Sequence, residues 1–249
     1  MDGHSVDSRT QEGSECVLGM TTVGSPGGIA LYFDGGIQGV DLERDSIRYS
    51  RTLLKQVRDL LGEHDRSVAD LTGVAVCTGP GSFTGIRVGM AVARALSFSL
   101  EIPLVGVTAH EALRAACHPQ ESSLAVTLDA RRDEVYAISY APGAEKPDGP
   151  VKTLSVEETG AWLSALSQQN PVRVVGDAVP RYIKAWEGCP GVQFAVAGEH
   201  EVRPEHIAIQ GSRGLVGTDA SNWLSVSPVY VRRSDSALGL GQKKTPGVS

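Results

Sequence analysis

The sequence has no apolar run approaching the roughly 20 residues that a membrane-spanning helix requires, so no membrane partner is expected. Its first fourteen residues, Met1 to Ser14, are polar and lack the apolar core of a signal peptide. Cysteine is scarce. Cys16, Cys77, Cys117 and Cys189 are widely spaced and form no CxxC pair. That argues against a disulfide framework or a zinc site, and for free thiols in a reducing compartment. The six histidines (4, 64, 110, 118, 200, 206) contain no i, i+4 pair, and there is no HExxH. A cationic surplus is missing too. The formal net charge is −6, which excludes a protein that grips nucleic acid alone over a broad surface, because such binding needs a basic footprint. The longest basic runs are the pairs Arg131–Arg132, Arg232–Arg233 and Lys243–Lys244. These absences describe a cytoplasmic globular chain with a loose N-terminal extension over residues 1–14. Its 249 residues suffice for one large domain or two small lobes.

What is present is a repeated order of elements. Cys16–Thr22, Ile29–Phe33 and Ile37–Leu42 read as strands, with the GSPGG turn at Gly24–Gly28 and a hairpin turn at Asp34–Gly36 between them. Ser50, Leu53, Leu54, Val57, Leu60 and Leu61 recur at helical spacing, and Gly62 is placed to end that helix. Gly73–Cys77 reads as a buried strand, residues 82–100 as a second helix and Pro103–Val107 as a strand. The second half repeats the order. Strands are predicted at Leu124–Leu128, Val135–Tyr140, Val151–Leu154 and Val172–Val175. Ser155 is a good N-cap, with Glu157 and Glu158 in the first turn of a helix over Val156–Leu166. Helical stretches follow near Pro180–Trp186 and Pro204–Leu215. Both halves read β-β-β-α-β-α, an α/β pattern of mixed sheets covered by helices. Two such units in tandem resemble the actin-like, ribonuclease H-like plan of actin, sugar kinases and Hsp70. The lobes divide as residues 15–108 and 109–233. Residues 234–249, rich in Ser, Gly, Lys and Pro, are expected to be a disordered tail.

The informative segment is GPGSFTGIRVGMAVARAL, Gly79–Leu96. Gly79, Gly81 and Ser82 follow a strand and open a helix, where backbone N–H groups can hold an anion; tight helix–strand packing is the other reading. No Lys–Ser/Thr pair follows, so this is not a Walker A loop. Gly85, Gly89, Ala93 and Ser97 are four apart and form a stripe of small side chains. Such a stripe admits either a partner helix or the chain's own sheet. The leucine-rich face of the preceding helix needs a cover as well, from its own sheet or from a second subunit.

GPGSFTGIRVG, then PLVGV (Pro103–Val107), then DARRDEVY (Asp129–Tyr136), and finally Pro228-Val229-Tyr230-Val231-Arg232 resemble, in order, the signature blocks of the TsaB (YeaZ-type) family. The resemblance covers residues 16–233. It implies a two-lobed actin-like fold that dimerises through the two helices of its first lobe, with itself or with the catalytic paralogue TsaD. Ser50, Leu53, Leu54, Val57, Leu61, Gly85, Ile86, Gly89, Met90, Ala93 and Ser97 are the expected interface residues. It further implies that the ATPase TsaE joins, and that the assembly attaches threonylcarbamoyl to N6 of adenosine 37 in tRNA. Transfer RNA is then contacted only as part of the complex.

The catalytic paralogue holds a metal through two histidines in an NHxxGH-like stretch. Laid on this chain, the ligand positions are Ala109 and Leu113, with His110 one residue, about 100° of helix, out of place. Met20 stands where many relatives have a metal-positioning Asp, and Tyr49-Ser50 stands where the family often has His-Ser. Neither hydrocarbon nor thioether can replace these groups. The expectation is no catalytic residue, no metal and no cofactor, with His110 on a helix surface and Asp129, Arg131, Asp133 and Glu134 in a polar turn. An ATP-binding, sugar-kinase-like enzyme is the alternative; a metallopeptidase is a weaker one.

Overall fold

The computed structural model describes residues 15–43, 49–117 and 121–231. The expected terminal segments, Arg232 and Arg233 lie outside these. The first sheet contains β1 (Cys16–Thr21), β2 (Gly27–Phe33), β3 (Gly36–Glu43), β4 (Gly73–Gly79) and β5 (Leu104–Thr108), in the order β3-β2-β1-β4-β5. The first three strands are an antiparallel meander; β4 and β5 join in parallel. β1 and β4 are buried at every position, as unbroken apolar central strands should be, whereas the edge strand β3 is partly exposed along its length. Asp34 and Gly35 turn β2 into β3 with φ of 50° and 78°, the left-handed pair that a two-residue hairpin needs.

The second sheet repeats this plan with β6 (Ser123–Arg131), β7 (Glu134–Tyr140), β8 (Lys152–Ser155), β9 (Val172–Val175) and β10 (Val192–Phe194). Its order is β10-β9-β6-β7-β8, the first sheet's order read from the other edge. The duplicated actin-like plan expected from the sequence is present. Helices α1 (Tyr49–Gly62) and α2 (Phe83–Leu100) cover one face of the first sheet, and α4 (Val156–Ser167) and α5 (Val179–Trp186) one face of the second. Ser155 caps α4 as predicted: its hydroxyl accepts from Glu158 N–H at 3.1 Å, and the Glu158 carboxylate accepts from Ser155 N–H at 2.7 Å.

The remaining helices, α3 (Ala109–Cys117) and α6 (Pro204–Leu215), lie on the sheets' other faces. One apolar core runs from Val17, Ala75 and Cys77 of the first sheet, through Ala112 and Ile207, to Val126, Ile138 and Tyr140 of the second. α6 comes from the second half of the chain yet packs across the first sheet. It sits so close that a Cβ on Gly19 would collide with the Ala208 backbone, and one on Gly211 with the Ala75 side chain. A division at residue 108 therefore separates the sheets but not their coverings.

Cys16 and Cys77 are buried free thiols in strands, as expected; burial pushes Cys77 up to about 11. No described helix is long and apolar enough to cross a membrane.

His110 is a correction. It was expected on a helix surface, but it is 2% exposed, because α3 is packed against β4, β6 and α6. Its Nε2 has no hydrogen-bond partner among the described residues, and burial lowers its pKa to about 4. The folded chain thus holds neutral imidazole, while the unfolded chain takes up a proton below about pH 6.5. The stabilisation this neutral form represents is complete above that pH and is lost as the pH falls toward 4. Acidification from pH 7 to 4 should cost about 3 kcal/mol through this residue. Urea titrations at both pH values should show a smaller acid penalty for His110→Gln than for the parent chain.

Candidate functional site: an interlobe cleft and an exposed helix pair

Three of the four signature blocks, far apart in sequence, meet at one cleft of about 530 Å3, and Pro103–Val107 is not among its walls. Its first wall is the start of α2. Ser82 caps this helix by accepting from Gly85 N–H at 3.2 Å, which occupies its hydroxyl oxygen. Gly81 and Ser82 line the hollow, whereas Gly79 (φ 99°) turns inward beneath Ile86 and Val229. Of the three loop candidates, two therefore face the cleft and one serves packing.

The second wall is the β6–β7 turn. Arg131, Arg132 and Asp133 take φ of 63°, 56° and 57°, three consecutive left-handed residues without a glycine. Asp129 anchors them. Its carboxylate, with the side chain 10% exposed, accepts from Arg131 N–H at 2.9 Å and faces the Arg131 and Arg181 guanidinium groups at 3.4 and 3.7 Å. Asp177, absent from the sequence reading, accepts the Asp129 N–H at 2.8 Å. One side of Asp177 is open to solvent, but crowding by protein atoms pushes its carboxyl up to about 6, against the pull of that N–H. Asp177 also borders a second hollow, of about 480 Å3, whose other walls include Ile183 and His200.

The third wall is the closing segment. Val229 N–H donates to Thr78 O at 2.9 Å, Arg94 donates to Val226 O at 2.6 Å, and Asn222 bonds both the N–H and the carbonyl of Leu104. This places Tyr230 at 5.3 Å from Phe83, whose ring lies under the Arg87 guanidinium at 3.9 Å. A proline-to-tyrosine ending was visible in the sequence; its pairing with Phe83 was not.

The expected interface residues divide by burial. Leu54 is 52% exposed, and the side chain of Ser50 lies outside the described residues. Leu53, Val57, Leu61, Ile86, Met90, Ala93, Gly89 and Ser97 are buried within this chain. Gly85 is half-buried, and its carbonyl accepts the Thr22 hydroxyl at 2.6 Å. The small stripe therefore faces the protein's own sheet, one of the two covers that the sequence admits, and Gly85, Gly89, Ala93 and Ser97 do not form the outward face of α2. Thr22 lies directly against the stripe. A parallel set faces outward instead: Arg87, Ala91 and Ala95, also four apart, are exposed, followed by Phe98 at 62% exposure beside Trp223.

Met20, Ala109 and Leu113 are all 0% exposed and embedded in the apolar cores. A methionine thioether and two hydrocarbon side chains do not fit the divalent metal that the paralogue's motif holds.

Comparison with known proteins gives a consistent result. A model of the TsaD family, described as tRNA N6-adenosine threonylcarbamoyltransferase, matches residues 35–157. The tRNA threonylcarbamoyladenosine biosynthesis protein TsaB of Bacillus subtilis is 28% identical over 193 residues, covering 76% of this chain and 81% of that protein. An uncharacterized protein of Mycobacterium tuberculosis is 31% identical over 243 residues, covering 92% of this chain and 96% of that one. Among solved structures, a Pseudomonas aeruginosa protein described as similar to peptidase YeaZ superposes with a TM-score of 0.70 at 25% identity, covering 88% of this chain and all of that one.

Proposed function

Since the chain belongs to the TsaB (YeaZ-type) family, we propose that it is a non-catalytic scaffold in the synthesis of threonylcarbamoyladenosine in tRNA. It works in the cytoplasm by pairing its α1–α2 face with a TsaD-type catalytic paralogue, or with a second copy of itself. The resulting assembly receives a TsaE-type ATPase and supplies most of the contacts to tRNA.

The observation that carries the non-catalytic reading is the burial of Ala109 and Leu113 at the two ligand positions of the paralogue's motif, and of Met20 where a metal-positioning Asp would stand. Pairing is supported by the outward row Ala91, Ala95 and Phe98 on α2 and by Leu54 on α1. Small side chains at four-residue spacing let a second helix approach closely, and Phe98 on the same helix and Leu54 on α1 provide apolar area to bury.

A reconstituted modification assay tests this. The chain alone, with tRNA and threonylcarbamoyl-adenylate, should yield no modified adenosine. The TsaD-type and TsaE-type partners should need the chain for sustained turnover, and it should co-purify with the TsaD-type protein. Turnover by the isolated chain would end the scaffold reading.

A further inference from the structure

The second hollow, of about 480 Å3, shares only Asp177 with the cleft; neither the start of α2, the β6–β7 turn nor the closing segment lines it. One wall is apolar, made by Val179 and Ile183 of α5 with Ala195 and Val202. Such a wall suits a hydrocarbon body, and the volume is that of a small-molecule site. The ionisable groups around it carry no positive charge. Asp177 and Glu201 are carboxyls, His200 is an imidazole, and no lysine or arginine lines the hollow. Neither carboxylate has a close cation. Asp177 accepts the Asp129 N–H at 2.8 Å and makes no ion pair among the described residues; the Arg131 guanidinium that influences it is held by Asp129 at 3.4 Å. Glu201 stands 4.0 Å from Arg203, whose guanidinium donates to Glu205 at 2.6 and 3.0 Å. His200 is 8% exposed, and its Nδ1 has no hydrogen-bond partner among the described residues. Burial, the largest influence on it, lowers its pKa, so the ring is neutral and repels no cation. A buried polar atom left alone costs free energy until something bonds it. Among the described residues these groups do not converge as a metal-holding set, so a bare metal ion does not answer them.

We propose that this second hollow binds a small organic cation, an amine carried on an apolar body. Its charge is answered by the carboxylates of Asp177 and Glu201, its hydrogen-bonding capacity is shared with the His200 ring, and its hydrocarbon lies against Val179 and Ile183. Hydrogen bonds between an ammonium group and a carboxylate are about twice as strong as neutral ones, and the apolar wall adds area to bury. The site goes beyond the scaffold reading and does not rest on it.

The test uses the full chain, isotopically labelled, followed by amide chemical shifts during titration with three probes: benzylamine, benzyl alcohol and ammonium chloride. Benzylamine should shift the amides of Asp177, Ile183 and His200 and leave those of Phe83 and Thr84 in place. It should bind about tenfold or more tighter than benzyl alcohol, which keeps the ring without the charge, and than ammonium, which keeps the charge without the ring. Asp177→Asn combined with Glu201→Gln should weaken benzylamine by about tenfold, since the amides keep the shape and leave an oxygen for the Asp129 N–H while removing both charges. Ala197→Trp, at an exposed position of the wall, should block the hollow without changing the melting temperature. Benzyl alcohol or ammonium binding as tightly as benzylamine, no response to the paired carboxylate changes, the same shifts in a folded Ala197→Trp protein, or no shift at millimolar probe would overturn the proposal.

Discussion

Replacing Gly85 with valine should leave a protein that melts well below the parent. A Cβ at this position would fall on the carbonyl oxygen of Thr22, backbone that cannot swing aside. Thr22 is also the residue whose hydroxyl ties it to the Gly85 carbonyl at 2.6 Å. One turn on, a Cβ at Gly89 would lie 2.5 Å from the Thr22 hydroxyl oxygen. The added methyls have nowhere to go except by lifting α2 off the end of β1. Such overpacking costs about 3 kcal/mol or more. For a chain of this size that lowers the melting temperature by roughly 6–12 °C, read by circular dichroism or calorimetry. Gly89→Arg would fail for the same reason, so it cannot report on an interface. If Gly85→Val melts with the parent, the stripe does not face the sheet.

Ala91→Arg is the complementary experiment. Ala91 is exposed on the outward row of α2, and arginine is a good helix former, so the fold should be kept. At a tight helix pair the same side chain would wedge the partner away or bury an unpaired cation. That loss is about 3 kcal/mol or more, equivalent to a hundredfold or greater weakening of binding. Sedimentation of the chain alone and calorimetry with a TsaD-type partner would measure it. A folded Ala91→Arg protein that still dimerises and still binds the paralogue at parental affinity means that the α1–α2 face is not the meeting surface.

Much of the fold could be read from local chemistry. Asp34–Gly35 and Ser155–Glu158 announce a hairpin and a helix start because their hydrogen bonds and backbone angles involve neighbours only. The unbroken apolar runs in β1 and β4 mark central strands for the same reason. The orientation of α2 could not be read. Gly85, Gly89, Ala93 and Ser97 form a stripe of small residues at helical spacing, and so do Arg87, Ala91 and Ala95 in part; periodicity says that faces exist but not which one looks out. That choice is made by Thr22, 63 residues before Gly85 in the chain. His110 was misplaced by the same kind of ignorance. A histidine next to Glu111 reads as surface until α6, nearly a hundred positions later, folds back against its helix. The candidate cleft was visible only as separate blocks, three of the four that the sequence shows. Their meeting is a property of the doubled sheet order, and Asp177 joined them with no motif of its own.

The apolar seam that runs from Val17 to Tyr140 through α3 and α6 has a mechanical meaning. In a two-sheet molecule hinged on a thin waist, a ligand can draw the halves together like jaws. Here the waist is filled with hydrocarbon, and the last long helix is bolted across the opposite half. On the proposed pairing, a partner that grips α1 and α2 takes hold of a block whose two sheets share one core, so the arginine turn is joined to that grip through packed side chains.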